Sequence, residues 1–339
     1  MQYELKTQVI EPRRKTFTHL IERFGDRPAS RYEEGSIGIQ ATENFHYRPT
    51  WAPDKELYDP DYSEFKLTDP YSFTDPRQFY YTPYVTTRTG LHEAFGKTLD
   101  YLQTRDLFAK LPQSWRSIMA DTFVPMRHYE SAGQLIFSGA CRFGYGTTIT
   151  QCCGYAAFDR IGIAQLISRV GIALGGGGAE LLDSAKSAWV EDAHLQGLRR
   201  YVEEAMVEPD WADTVIAYDL SDNLIYGLLY RELDEAALLG GAGAYSLVAQ
   251  HLSTWFTDQR RWLDALYRAW LADEQYGAAN KAAFERIVAA KLPQALAAVT
   301  AMAEHIDSFE AVGAVEALGR VHTALIEQLA GLGLDIKES

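Results

Sequence analysis

The chain has 339 residues, with 46 acidic against 32 basic side chains and a formal net charge of −14. That balance disfavours a broad nucleic-acid-binding surface, and 47% apolar residues with 7 Trp, 20 Tyr and 15 Phe exclude a disordered chain. The length allows two domains or one large helical unit, and in either case a large core.

Residues 1–15 carry charges throughout and contain no apolar run, so no secretory leader is expected. Residues 1–85 hold eight of the twelve prolines and three Asp-Pro pairs, at 59–60, 69–70 and 75–76. Proline fixes its own φ, lacks an N–H and keeps the preceding residue out of the helical region, which excludes long helices here. Nine of the twenty tyrosines lie within the first 84 residues. An extended arm, 1–87, laid across another surface is the expectation, with Phe45, Trp51, Phe79, Tyr80, Tyr81 and Tyr84 as candidate partner anchors.

A helical bundle is expected over 88–339. Leu198, Tyr201, Val202, Ala205 and Met206 follow the spacing of one buried helix face. Trp255, Trp262, Leu263, Leu266, Tyr267 and Trp270 repeat it, as do Leu318, Val321, His322, Leu325, Ile326 and Leu329. Residues 125–170 are poor in charge and predict two central helices joined near Gly144-Tyr-Gly146. Gly175 to Gly178, Gly240 to Gly243 and Gly277 mark further breaks. No alternating strand pattern and no internal repeat occur. The stretch 236–257 is interrupted by Gly240, Gly241, Gly243, Gln250 and His251, a poor bilayer span. Cys141, Cys152 and Cys153 form no metal or redox spacing and read as buried thiols of a reducing, cytoplasmic environment.

A carboxylate-bridged di-iron site in such a bundle needs Glu-x-x-His on two helices and a Glu from each of two more. Two matches occur, Glu43/His46 and Glu191/His194. The first lies among prolines, and the second lies in a polar helix-to-helix junction. The apolar central helices contain only Glu130 and Asp159 as acids between His128 and Ile172. His251 and His322 sit on apolar helix faces and read as core histidines. Gly175 to Gly178 follows a helix and is not followed by Gly-Lys-Ser/Thr, so it is an interhelical turn rather than a phosphate loop. Arg199 and Arg200 pair at i, i+4 with Glu203 and Glu204 as a solvated face. The residues describe a helical protein with no catalytic, metal-binding or cofactor-binding site of its own.

The segments Asn44-Phe-His-Tyr-Arg-Pro49 and Asp75-Pro-Arg-Gln-Phe-Tyr-Tyr81 resemble the β subunit of the hydroxylase component of bacterial multicomponent monooxygenases. The phenol hydroxylase branch is nearest, beside the toluene and alkene monooxygenases. Further matches follow in order along the chain: Asp159-Arg-Ile-Gly162, Ser168-Arg-Val-Gly171, Trp189, Gln196-Gly-Leu-Arg-Arg-Tyr-Val-Glu203, Asp210-Trp211 and Arg261-Trp262. The resemblance implies an all-α, ferritin-like (ribonucleotide-reductase-like) bundle with an extended N-terminal arm, in an (αβγ)2 hydroxylase. It implies a di-iron centre in the partner α subunit, a small γ subunit, and transient contact with an NADH-using reductase and a regulatory protein. The implied function is that of a structural subunit in NADH- and O2-dependent hydroxylation of a small aromatic such as phenol or toluene, with neither nucleic acid nor membrane as a partner. Where the family pattern around 189–203 has Asp-Pro and a second Trp, this chain has Asp192-Ala193 and Leu195, so no ligand role is carried onto His194. Epoxidation of an alkene is the nearest alternative. A self-sufficient metalloenzyme using Glu191 and His194, or a free-standing helical binding protein, are the alternatives from other classes.

Overall fold

The computed structural model describes residues 17–40, 53 and 55–336, and the candidates Phe45, Trp51, Glu43 and His46 lie outside the described residues. Two short helices, α1 (Thr18–Phe24) and α2 (Arg31–Ser36), precede the long ones. The Ser30 side chain accepts from the Glu33 amide and the Glu33 carboxylate accepts from the Ser30 amide, a reciprocal cap that starts α2. The remaining helices are α3 (Tyr81–Thr104), α4 (Gln113–Ile118), α5 (Met126–Phe143), α6 (Thr147–Leu174), α7 (Glu180–Glu191) and α8 (Ala193–Met206), then α9 (Trp211–Gly227), α10 (Leu233–Leu239), α11 (Gly243–Leu271), α12 (Gly277–Phe309) and α13 (Ala314–Gly331). No strand occurs among the described residues. The breaks fall where the glycines predict them: α5 gives way to α6 at 144–146, and Gly146 enters α6 with φ of 113°. The first long helix starts at Tyr81, earlier than the boundary expected at 88.

Four helices close a ring: α5 packs on α6, α6 on α11, α11 on α9 and α9 back on α5. Helix α3 covers α6 and α11, while α8, α12 and α13 cover α9. Enclosed in this way, α9 buries nearly every residue, as its all-round apolar sequence requires. The Asp210 carboxylate accepts from the Ala212 amide and caps its start. Trp255, Trp262 and Trp270 of α11 are all buried, in agreement with their helical spacing. Helix α12 is long and apolar enough by composition to cross a membrane. Its apolar residues are spent on α8, α9, α11 and α13, which marks a core helix of the bundle.

Residues 55–80 run along this bundle in close contact with it. Tyr62 stacks on Phe143 at 4.9 Å and Phe65 lies 4.8 Å from Trp270. Phe65 and Phe73 belong to the main hydrophobic core. The backbone is fastened as well: the Thr68 amide donates to the Asp273 carboxylate at 2.7 Å, and Asn280 both accepts from the Lys66 amide and donates to its carbonyl. A proline-rich segment cannot satisfy its amides within helices, so side chains of the bundle do it instead.

Candidate functional site: a buried ionic centre and an exposed aromatic face

Inside the ring of four helices, Glu130 from α5, Arg160 from α6, Asp222 from α9 and Gln259 from α11 meet. All four are at most 1% exposed. Arg160 Nη1 donates to Glu130 Oε2 at 3.0 Å and to Asp222 Oδ1 at 3.0 Å, and Nη2 donates to Asp222 Oδ2. Tyr129 donates its hydroxyl to Asp222 Oδ1 at 2.8 Å, Tyr226 donates to Glu130 Oε1 at 2.7 Å, and Gln259 donates to Asp222 Oδ2 at 3.2 Å. The rings of Trp255 and Tyr218 lie 4.8 and 4.9 Å from the guanidinium carbon, where a cation is attracted to an aromatic face. Burial pushes both carboxyls upward, Asp222 to about 6, while Arg160 pulls in the opposite direction.

A carboxylate bundle builds its metal site in the core from side chains on facing helices, and the residues that meet here do not fit one. A di-iron set takes carboxylates and imidazoles from four helices. Here two carboxylates and an amide face a permanent guanidinium cation, and no imidazole joins them.

The Glu191/His194 pair is not brought together on one helix face. Helix α7 ends at Glu191, Asp192 is extended at ψ of 129°, and α8 begins at Ala193. Glu191 points to solvent. The His194 ring donates through Nε2 to the Asp121 carbonyl at 2.9 Å. That carbonyl lies four residues before Pro125, which has no N–H to return to it. His194 therefore has a backbone-satisfying role, and it stacks on His305 at 3.6 Å. Among the described residues one carboxylate group has metal-ligand spacing, Glu64, Asp210 and Asp213. Two of its members are otherwise engaged, Glu64 pairing with Arg286 and Asp210 accepting from the Glu64 and Ala212 amides, while Asp213 Oδ1 is buried without a hydrogen-bond partner. His251 is half-buried rather than in the core, and it is hydrogen-bonded to Thr98 Oγ1 at 2.8 Å. Cys152 and Cys153 are buried free thiols that burial drives well above their ordinary pKa, and Cys141 is half-buried.

A second ionic network joins the 75–80 connector to α3, α6 and α11. Arg77 bonds to Asp75 and Asp258, and Arg88 bonds to Asp159 at 2.7 and 2.8 Å and to Asp258 at 2.7 Å. Tyr84 donates to Asp159 at 2.8 Å and stacks on Tyr155 at 4.3 Å. Phe79, Tyr84 and Tyr155 form a small core of their own, with both guanidinium groups over Phe79. So among the sequence-derived anchors Phe79 and Tyr84 point into the chain, Tyr80 is half-buried, and Tyr81 is 73% exposed. Val85, one helical turn on in α3, is exposed too, as are Phe158 and Ile161 of α6, and the Phe158 ring lies 6.5 Å from that of Tyr84. Val85 also lines a shallow groove of about 630 Å³ with Arg88, His92, Glu93 and Arg169.

The residues of the ionic centre are absent from the sequence-derived candidates, apart from Glu130 as an isolated acid. The available signal was the rarity of charge in the central helices, because an unpaired charge is almost never fully buried.

The sequence profile of the methane/phenol/alkene hydroxylase family matches residues 51–274. The chain belongs to this hydroxylase family. It is 37% identical over 339 residues to the DmpL oxygenase component of phenol 2-monooxygenase from Pseudomonas sp. (strain CF600), covering 100% of both chains. It is 34% identical over 335 residues to the MhpL oxygenase component of phenol 2-monooxygenase from Acinetobacter pittii (strain PHEA-2), covering 98% of each. A crystal structure of phenol hydroxylase from Pseudomonas sp. OX1 superposes with a TM-score of 0.90 at 29% identity, over 99% of this chain and 100% of that one. The hydroxylase-family chain is thus a subunit of a multicomponent monooxygenase, an oxidoreductase, and its fold is the ferritin-like helical bundle expected from the sequence.

Proposed function

We propose that the chain is the non-catalytic structural β subunit of a soluble di-iron monooxygenase hydroxylase, (αβγ)2, in the NADH- and O2-dependent hydroxylation of a small aromatic such as phenol. The observation that carries this reading is Arg160 seated between Glu130 and Asp222 in the core, where a carboxylate bundle builds its metal site from facing helices. Full-length similarity to phenol 2-monooxygenase oxygenase components supports the substrate class. In this reading the iron belongs to the α subunit, NADH is used by a separate reductase, and the complex works in the cytoplasm. The chain meets its partners through exposed apolar residues, Tyr81 and Val85 of α3 and Phe158 and Ile161 of α6, with Phe45 and Trp51 as further anchors on sequence grounds.

Two measurements test it. Metal analysis of the purified full-length chain is expected to give no stoichiometric iron, and two irons per chain would overturn the assignment. Tyr81→Asp combined with Phe158→Asp is expected to leave the helical circular dichroism intact and abolish co-purification with the α subunit, because a desolvated charge at an apolar interface centre is heavily penalised. Undiminished assembly would remove these residues from the interface.

A further inference from the structure

The ionic centre sets a charge-balance problem that the chain solves by itself. Glu130 and Asp222 come from helices that approach one another across the bundle axis, and both carboxylates are wholly buried. Without a cation between them the two would repel across a medium of low dielectric. We propose that Arg160 is the resident cation of this carboxylate bundle, a tethered guanidinium that takes the structural place of a bound ion, and that the chamber accepts a small external cation once Arg160 is truncated.

The donor arrangement indicates the class of cation. Truncation leaves two carboxylates on facing helices, with phenol hydroxyls already bonded to each. Gln259 turns its Nε2 to Asp222 and leaves Oε1 buried with no hydrogen-bond partner, so a flip of this amide would offer an ion a further oxygen at no lost bond to Oε1. An all-oxygen set of this kind suits a hard divalent cation such as Mn2+. The existing tenant also leaves its mark: Arg160 Nε is buried without a partner, so the guanidinium is held by its two terminal nitrogens and by rings stacked around it. A free guanidinium ion has the same shape as that head group and can reproduce both contacts. All of these groups are side chains of this chain, whatever subunits it assembles with.

The competing account is that Arg160 is a space-filler. Apolar replacement of buried ion pairs is often neutral when the whole set is replaced, but removing one partner leaves buried charge uncompensated. The experiment measures the thermal midpoint of the full-length chain as Arg160→Met and Arg160→Ala, with and without Mn2+ or millimolar methylguanidinium. Arg160→Met is expected to lower the midpoint by roughly 5–10 °C, and adding Glu130→Gln with Asp222→Asn is expected to restore most of the loss. Arg160→Ala is expected to bind one Mn2+ and to be stabilised by either cation, while the parent protein shows neither response. If Arg160→Ala is not folded alone, its refolding yield is expected to rise with either cation. Overturning results are Arg160→Met melting with the parent, or Arg160→Ala gaining neither stability nor yield from Mn2+ and methylguanidinium.

Discussion

At Asp213 the start of α9 holds a carboxyl that burial, then neighbouring Asp210 and Glu64, push up to about 7, against the pull of Arg286. A carboxyl with a raised folded pKa binds its proton more tightly in the native state than in the unfolded chain. Its contribution is therefore fully present below the unfolded value of about 4 and is lost as the pH rises through the folded value of about 7. Asp213→Asn removes the titration while keeping the shape. The variant is expected to melt above the parent at pH 8 and alongside it at pH 4, measured by thermal unfolding across that range. A difference unchanged by pH would exclude Asp213 as the titrating group. The same scale explains His194, whose Glu-x-x-His spacing signals a ligand although its ring serves a carbonyl left open by Pro125. A motif reports spacing, and the helix break at Asp192 is what removes its meaning.

Among the elements, α5 and α9 approach closely at Gly133, where a Cβ would strike the ring and hydroxyl of Tyr218. Tyr218 is fully buried, its hydroxyl donates to the Tyr129 carbonyl at 3.0 Å, and its ring stacks on Tyr129 at 4.7 Å, so it has no room to retreat. Gly133→Ala is expected to cost about 1–3 kcal/mol by overpacking, read from chemical denaturation. A neutral or stabilising result, as expected for glycine replaced within an unobstructed helix, would refute the close approach. Helix identity and most breaks were legible in sequence because apolar residues recur every three or four positions and glycines interrupt them. The early start of α3 was less legible: prolines and tyrosines surround it, yet Pro83 stands in its first turn, where a missing N–H costs nothing.

For the whole molecule, the proline-rich segment is the point at which local reading and tertiary packing diverge. Its rings signal attachment to a surface, and for residues 55–80 that surface includes this chain's own bundle. Phe65 is 5% exposed between Trp270 and Phe284. Phe65→Ala is expected to destabilise the chain by about 3–5 kcal/mol, and deletion of residues 1–80 is expected to broaden or abolish the cooperative melt. A deletion variant melting sharply at the parent's temperature would show the segment to be dispensable to the core. Exposed aromatic surface remains at Tyr81 and Phe158, which is where assembly is to be tested.

The sequence by itself determined the class of structure, the order and most breaks of the helices, the burial of the tryptophan stripe and the family resemblance. These depend on periodicity, on proline and glycine stereochemistry, and on residue order, all of which are local or linear properties. Only the tertiary structure decided that Glu130, Arg160, Asp222 and Gln259 meet at one point, because they come from four helices separated by tens of residues and share no spacing rule. It also decided which rings of the proline-rich segment point inward. Side-chain direction there is set by guanidinium stacking and by bonds to distant Asp159 and Asp273, which no local pattern encodes.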